Sequence, residues 1–461
     1  MRRFALLVAL LAGLLLSPLA SADPGAGPQR LVQQTAANAA ATCRRDTPAT
    51  DEQCAAVPLS PAVSEKALKD YESSSVHRAL ALQYALGNDT PFRHASWLGT
   101  HNSFNTSARE LTLSGSDANQ QLSMTDQLRS DIRSLEVDAH WFPSVEAGGY
   151  APVLCHARGE DQKHAGCTNE PLLVDGLKEI AAWLRTNPGQ VVLLYVEDHL
   201  EGDPGYQAGA KAVNDAFGQL LYTPADAGVT SGACTKLPLD GTRNDVLRAH
   251  RQVLVITGCH SGAGWNTSVF SGEARAKDET GPAGYGEDGS CDPARQPSVY
   301  DDHFLRVYED STALSATVDQ GSNPITVKKA AALQRCAVDL TGFDQLLPGD
   351  PRLGASVWSW APSEPVAGGD CAVQSAEGWH AVDCGQHHAF ACRTASGWAV
   401  DTTDVPFAAA GGRCKGAQVG TPRYGYEGVQ LASAMRAAGV SAVWLNLSRA
   451  GASWVAGDTL G

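Results

Sequence analysis

The chain has 461 residues, a formal net charge of −15 and 43% hydrophobic residues. This length allows one large domain and a smaller one. The acidic balance excludes a nucleic-acid partner, which needs a basic face, and net charge cannot draw the chain to anionic lipid.

Residues 1–22 have the pattern of a secretory signal peptide. Arg2 and Arg3 precede the apolar run Phe4–Leu16, and Ala20-Ser21-Ala22 forms a small-residue cleavage site. The run is short for a membrane-spanning helix of about 20 residues. No later segment is apolar enough to span a bilayer. We therefore expect a secreted protein, cleaved near Ala22, without a stable transmembrane anchor.

The twelve cysteines predict disulfides, because an even count in an exported chain favours them over metal binding. No CxxC pair points to structural zinc. Residues 23–87 are predicted to be a leader with a helical stretch from 63 to 87 and a small disulfide loop. Short spacing pairs Cys43 with Cys54 and Cys155 with Cys167. The pairing of four others stays open: Cys234, Cys259, Cys291 and Cys336.

Residues 88–361 alternate short apolar runs with helical stretches, as parallel β/α units do. The best helix is Leu172–Thr186, and it leads into the uninterrupted apolar run Val191–Leu194, typical of a strand buried on both faces. Eight runs predict an α/β fold built on a TIM-like (β/α)8 barrel. The candidate strands are Ser96–Ser103, Ser134–Trp141, Pro152–Ala157, Val191–Asp198, Gln252–Gly258, Phe304–Asp310, Val338–Gln345 and Ser356–Ala361. The long stretch 200–250 and the Gly-rich stretch 260–300 are expected to be mostly loops. Residues 362–461, richer in Gly, Cys and Trp, are expected to form a small disulfide-rich α+β domain.

Polar side chains gather at the ends of the first four predicted strands. Residues two apart on a strand share a face, so Glu136 and Asp138 point the same way. In TIM-type barrels the carboxyl ends of the strands surround the active site. We therefore expect one cluster made of His101, Asn102, Glu136, Asp138, His156 and Glu197.

The chemistry of this cluster predicts a calcium site beside two histidines. Four of its members offer only oxygen, which favours calcium over magnesium or manganese and, more clearly, over zinc. The proposed calcium ligands are Asn102, Glu136, Asp138 and Glu197. His101 and His156 are then available for proton transfer. Such a centre suits attack on a phosphate ester.

The ordered motifs at these strand ends resemble the X region of phosphatidylinositol-specific phospholipases C. They are His101-Asn102-Ser103-Phe104, Ser134–Asp138, Leu154-Cys155-His156 and Val191–His199. The resemblance is to calcium-dependent members, because metal-free members have Asp where Asn102 stands.

The resemblance implies calcium held by the four oxygen ligands and a phosphoric diester hydrolase with three catalytic residues. His101 would stabilise the transition state, His156 would act as general acid and then base, and Glu136 would help to deprotonate the inositol 2-hydroxyl. The substrate would be phosphatidylinositol at a membrane surface. The products would be diacylglycerol and an inositol phosphate formed through a 1,2-cyclic intermediate. Trp360 is a candidate substrate contact that would stack on the inositol ring, with packing in a core as the alternative.

The segment from 356 to 461 resembles a permuted C-type-lectin-like domain. The motif Trp360–Pro365 and the cysteines from 371 to 414 support this, and the resemblance implies disulfides Cys371–Cys384 and Cys392–Cys414. Val366 stands where sugar binders have Asn. The domain is expected to cover the barrel or to bind a partner, with carbohydrate or protein as the possible partners.

Two other functions remain open. A glycerophosphodiester phosphodiesterase also uses a Glu-x-Asp pair and two histidines, although its first histidine is normally followed by Arg-Gly rather than by Asn102-Ser103. The chain could instead be a non-catalytic secreted protein that binds surfaces through the lectin-like segment.

Overall fold

A computed structural model of the chain describes residues 63–108, 118–156, 167, 170–260, 262, 264–271, 279–280, 305–312, 324–336 and 338–457. The predicted signal peptide and the predicted Cys43–Cys54 loop lie outside these described residues, and they stay predictions. Cys155–Cys167 is confirmed, and the structure pairs Cys234 with Cys259.

The first sheet is a twisted, mainly parallel sheet that resembles a TIM-type barrel. Parallel strands follow one another in chain order around the sheet, and the last pairs back with the first. Within the described residues the seventh and eighth strands of the sheet do not pair, so the barrel is incomplete on that side. The strands are β1 Trp97–Thr100, β2 Ser134–Ser144, β3 Gly149–Leu154, β4 Val192–His199, β5 Leu221–Tyr222, β6 Val253–Thr257, β7 Phe270–Ser271, β8 Glu279–Thr280, β9 Arg306–Tyr308 and β10 Leu340–Phe343.

Two of the eight strand predictions need correction. The part of the predicted run Pro152–Ala157 that reaches to Leu154 belongs to β3, which pairs antiparallel with β2 and is not a barrel strand. The chain reverses direction between β2 and β3 at Gly148. Its φ of 65° lies in the left-handed region, which glycine adopts readily. Ser356–Ala361 forms no strand, because the amides of Trp358 and Ser359 donate to the side chain of Gln83. Three short strands that the sequence did not reveal, β5, β7 and β8, take part in the parallel sheet instead.

Helices cover the outer face of the sheet. The predicted helix from Leu172 is confirmed as Leu173–Thr186, and its residues Leu177, Ile180 and Leu184 are fully buried. Burial of each such side chain contributes about 1.5–3 kcal/mol. The helices are α1 Glu65–Glu72, α2 Ser75–Leu86, α3 Met124–Arg129, α4 Leu173–Thr186, α5 Gly202–Phe217, α6 Arg243–Arg248, α7 Trp265–Ser268, α8 Val327–Arg335, α9 Pro351–Ala355, α10 Phe407–Ala410 and α11 Gly425–Ala438.

A second, mainly antiparallel sheet follows residue 370. Across its centre the strands lie in the order Trp379–Val382 (β12), Cys371–Gln374 (β11), Val443–Ala450 (β16), His388–Thr394 (β13) and Gly397–Val405 (β14). The disulfides Cys371–Cys384 and Cys392–Cys414 form as the lectin-like resemblance implied. The strands are β11 Cys371–Gln374, β12 Trp379–Val382, β13 His388–Thr394, β14 Gly397–Val405, β15 Gln418–Val419, β16 Val443–Ala450 and β17 Ser453–Ala456.

The second sheet and α11 pack near the amino ends of the barrel strands. Gly425, the first residue of α11, lies so close to Gln334 that a Cβ there would stand 2.2 Å from its carbonyl oxygen. Gln334 precedes β10, and therefore lies at the amino edge of the first sheet. None of the helices in the described ranges is both long and apolar enough to cross a membrane.

Candidate active site

Two neighbouring barrel strands, β2 and β4, bring acidic side chains together. Glu136 and Asp138 alternate along β2, and the parallel register pairs Asp138 with Glu197 on β4. Oxygens of Glu136, Asp138 and Glu197 all lie within 4.8 Å of one another. Glu136 and Asp138 are buried, whereas the Glu197 side chain is 54% exposed. The predicted acidic cluster therefore exists, open to solvent on the side of β4.

Asn102 joins this cluster through the turn after β1. Its φ is 45°, in the left-handed region that Asn tolerates better than most residues. In this conformation the backbone N–H of Asn102 donates to Glu136 Oε2 at 2.5 Å. Ser103 fastens the turn to β2, since its N–H donates to the Glu136 carbonyl and its hydroxyl accepts from the Glu136 N–H.

The side chain of Asn102 lies between Asp138 and His101. Its amide nitrogen donates to both carboxylate oxygens of Asp138 at 3.1 Å, and its oxygen accepts from His101 Nε2 at 3.3 Å. The chemistry of the donor set tests whether a cation fits here. The donor set is all oxygen and rich in carboxylate, which fits calcium.

The pKa values of the carboxyls show that the negative charges of this cluster are unfavourable without a cation. Burial raises the pKa of Asp138 well above its ordinary value, and the charges of Glu136 and Glu197 raise it further. Burial also raises the pKa of Glu136, although His101 opposes this. The hydrogen bond from His199 Nε2 to Glu197 Oε1, 2.9 Å long, lowers the pKa of Glu197. A bound divalent cation would offset the repulsion among the three carboxylates.

His101 lies beside the acidic cluster and contacts Asp344. Its Nδ1 lies 3.3 Å from Asp344 Oδ2, and Asp344 follows β10 and is fully buried. Burial opposes the charged form, but the charge and hydrogen bond of Asp344 prevail and raise the pKa of His101 to about 10. Asp344 was not among the predicted site residues, although its place near the carboxyl end of the predicted strand Val338–Gln345 was a usable signal.

His156 follows β3 and connects to His101 through a chain of hydrogen bonds. Its Nδ1 lies 3.1 Å from Asn105 Nδ2, which donates to Asn119 Oδ1 at 2.8 Å. Asn119 Nδ2 in turn donates to Asp344 Oδ2 at 3.2 Å. The disulfide of the preceding residue, Cys155, is buried and anchors this end of β3. Both predicted catalytic histidines therefore belong to one polar network around Asp344.

Trp360 does not join this cluster. It is only 6% exposed and packs on Trp379 and Trp454, with ring centroids 5.8 and 4.8 Å apart. It therefore lies in the hydrophobic core of the second sheet, which packs near the amino ends of the barrel strands. The assignment of Trp360 as a stacking surface for inositol is corrected for this reason.

The part of the chain that carries this site matches a known family. Residues 56–350 match the family model described as the Rv2075c PI-PLC-like domain. The chain belongs to this family. It is 39% identical over 437 residues to the uncharacterised protein Rv2075c of Mycobacterium tuberculosis, with 90% of this chain and 89% of that protein covered. It is 26% identical over 224 residues to the PI-PLC X domain-containing protein At5g67130 of Arabidopsis thaliana, covering 46% of each.

Solved structures are similar to this fold at low identity. The phosphatidylinositol-specific phospholipase C of Listeria monocytogenes matches with a TM-score of 0.40 and 16% identity, over 60% of this chain and 98% of that one. A calcium-dependent phosphoinositol-specific phospholipase C from Pseudomonas sp. matches with a TM-score of 0.36 and 15% identity, over 57% and 94%. The family and the site together support a hydrolase of the phosphodiesterase type.

Proposed function

We propose that the protein is a calcium-dependent phospholipase C that cleaves phosphatidylinositol to diacylglycerol and an inositol phosphate. The supporting observation is the pairing of an all-oxygen cluster with two histidines at one edge of the barrel. An acidic cluster alone would repel a phosphodiester, so the site needs a cation to accept its substrate.

The calcium ion would be held by Asn102, Glu136, Asp138 and Glu197. When bound, it would lower the pKa of the attacking hydroxyl and offset negative charge on the phosphate. Glu136 would then accept the proton of the inositol 2-hydroxyl, because its carboxylate lies in the same oxygen cluster that would hold the cation. The attack gives the 1,2-cyclic inositol phosphate and releases diacylglycerol.

The two histidines would divide the remaining work. His101, kept protonated beside Asp344, would donate a hydrogen bond to a phosphate oxygen and stabilise the developing charge. His156 would donate a proton to the leaving glycerol oxygen. It would then remove a proton from the water that opens the cyclic intermediate.

The hairpin of β2 and β3 supports action at a membrane surface. The hairpin continues past Asp138 at the carboxyl end of the barrel strands, where the site lies. It carries two of the most exposed large apolar residues, Val145 at 78% and Tyr150 at 61%. Net charge gives the chain no attraction to anionic lipid, so apolar contacts of this kind would have to bring the site to its substrate. The disulfides and the signal-peptide pattern of residues 1–22 support secretion.

The second sheet is proposed to cover the amino end of the barrel, with binding of a carbohydrate or protein partner still open. Calcium-dependent sugar binding through Glu364 has little support, because its carboxylate is already engaged. It accepts from the Val366 and Ala381 amides at 2.8 and 3.2 Å, and lies 3.2 Å from His380 Nδ1.

The test uses purified protein and phosphatidylinositol vesicles, with calcium or with a chelator. Diacylglycerol and inositol phosphate are measured for the wild type, His101→Ala and His156→Ala. His387→Ala, an exposed histidine of the second sheet region, is the control. We expect calcium-dependent release that both site variants abolish and the control retains.

Other outcomes would change the assignment. Release that survives chelation would refute the calcium site. Cleavage of glycerophosphoinositol without cleavage of the lipid would indicate a glycerophosphodiester phosphodiesterase. If neither substrate is cleaved, a non-catalytic surface-binding protein becomes the better explanation.

A further inference from the structure

Asp344 is the common hydrogen-bond partner of both histidine networks. Its carboxylate contacts His101 directly and reaches His156 through Asn119 and Asn105. The position of this one carboxylate therefore governs the orientation of both rings.

The main chain of Asp344 is held by a buried ion pair that the proposed reaction does not use. The Asp344 N–H donates to Glu309 Oε2 at 2.9 Å, and its carbonyl accepts from Arg352 Nη2 at 2.9 Å. Arg352 Nη1 donates to the same Glu309 oxygen at 2.6 Å. The Glu309 and Arg352 side chains are only 4% and 12% exposed. One ion pair thus binds both polar groups that flank the Asp344 side chain.

The pair is itself fixed from two directions. Arg352 Nη2 donates to Asp350 Oδ2 at 2.7 Å, and Asp350 also caps α9 by accepting from the Arg352 amide. Glu309 Oε1 accepts from the Ile325 amide at 3.2 Å. Arg352 also supplies a positive charge to Glu309 and Asp344, two carboxyls that are both almost fully buried. Its removal would take away the ion-pair partner of Glu309, whereas Asp344 would keep its contact with His101.

We propose that Glu309 and Arg352 are positioning residues that hold Asp344 in the orientation required by His101 and His156. A buried ion pair is a poor source of stability, since apolar residues of similar volume often stabilise as well. This pair instead hydrogen-bonds the main chain of Asp344, the residue that connects the networks of His101 and His156. A catalytic group displaced by about 1 Å can lose about 100-fold in rate.

The kinetic part of the test rests on the proposed function. The cleavage of phosphatidylinositol in mixed micelles with calcium is measured for Arg352→Met and Glu309→Gln. We expect kcat to fall about 10- to 100-fold, with KM changed less than about twofold, because the substrate contacts remain. Arg352→Lys, which keeps the charge, should recover part of the loss. The matched control is Arg393→Met, which breaks a similar pair with Glu427 in the second sheet and should leave kcat unchanged.

A second readout does not depend on activity. In protein labelled with ¹⁵N at histidine, the His101 ring signals are assigned with His101→Ala. Arg352→Met should shift them, and Arg393→Met should not. If the wild type cleaves no phosphatidylinositol, the proposed function fails while these spectra still decide the positioning role.

A double variant separates positioning from general stabilisation. If Arg352 acts through Asp344, Arg352→Met combined with Asp344→Asn should lose no more activity than Asp344→Asn alone. Losses that multiply would overturn the proposal. So would folded Arg352→Met and Glu309→Gln variants with unchanged kcat and unchanged His101 signals. Should Arg352→Met not fold, the nearly isosteric Glu309→Gln decides.

Discussion

Replacing Asp138 by Asn should stabilise the calcium-free protein and abolish its response to calcium. In the folded state Asp138 is buried beside Glu136 and Glu197, and both carboxylates raise its pKa. Asn keeps the shape of the side chain and removes the like charge. The same change removes a charged oxygen ligand from the proposed calcium site, so the two effects have opposite signs.

The magnitude follows from the spacing of the carboxylates. At the 4.8 Å limit of their separation, two unit charges repel by about 3.5 kcal/mol when the effective dielectric constant is taken as ~20. The calcium-free protein avoids part of this cost by keeping a proton on Asp138. We therefore expect Asp138→Asn to raise the free energy of unfolding by about 1–2 kcal/mol in chelator, or a few degrees in Tm. Calcium at 100 times its Kd should stabilise the wild type by about 2.7 kcal/mol.

The pH dependence has a definite sign. The pKa values of Asp138 and Glu136 are raised, so in chelator the folded state binds more protons than the unfolded state. The free energy of unfolding should then fall as pH rises from the unfolded values, near 4, toward the raised folded values. Asp138→Asn should flatten this decline.

Thermal unfolding in chelator and in calcium, at pH 5 and pH 7, measures these effects. Asp131→Asn is the matched control. Asp131 is a buried carboxyl outside the proposed calcium site, and it accepts a hydrogen bond of 2.6 Å from the Tyr71 hydroxyl. The variant should lower Tm and keep the calcium response. An Asp138→Asn protein that is less stable than the wild type in chelator, or that still gains stability from calcium, would refute the reasoning.

Three further predictions follow from the site and its surroundings. His199→Ala should weaken calcium binding about tenfold in titration calorimetry, because the exposed Glu197 loses the 2.9 Å contact that orients it; unchanged affinity would mean that Glu197 needs no such support. Val145→Glu combined with Tyr150→Ser should reduce vesicle binding and cleavage of vesicle lipid while sparing a soluble glycerophosphoinositol substrate; equal losses on both would place the effect in the site itself. Cys155→Ser should lower kcat and destabilise the protein, because the disulfide anchors the end of β3 beside the proposed acid; full activity in the folded variant would exclude this anchoring role.

The parallel sheet and most of the acidic cluster could be predicted from the sequence. The alternation on β2 places Glu136 and Asp138 on one face, and the uninterrupted apolar run before Glu197 indicates a strand buried on both sides. These are local properties, since side-chain direction repeats every two residues and burial selects apolar runs. The helix Leu173–Thr186 was predictable for the same reason.

Other features depended on contacts between distant parts of the chain. An apolar run ending at Leu154 is compatible with a parallel or an antiparallel strand, and only its pairing with β2 decides which. Trp360 could face a ligand or a core by its sequence alone, and packing on Trp379 placed it in the second sheet.

The sequence by itself determined which residue types reach the edge of the barrel: two histidines and four side chains with oxygen donors, at the ends of apolar runs. Only the tertiary structure decided how they are held. Asp344 lies 243 positions from His101 along the chain, and Glu309 and Arg352 approach it from separate elements. Short-range periodicity carries no information about such contacts, because they arise when the ends of different strands are brought to one edge of the sheet.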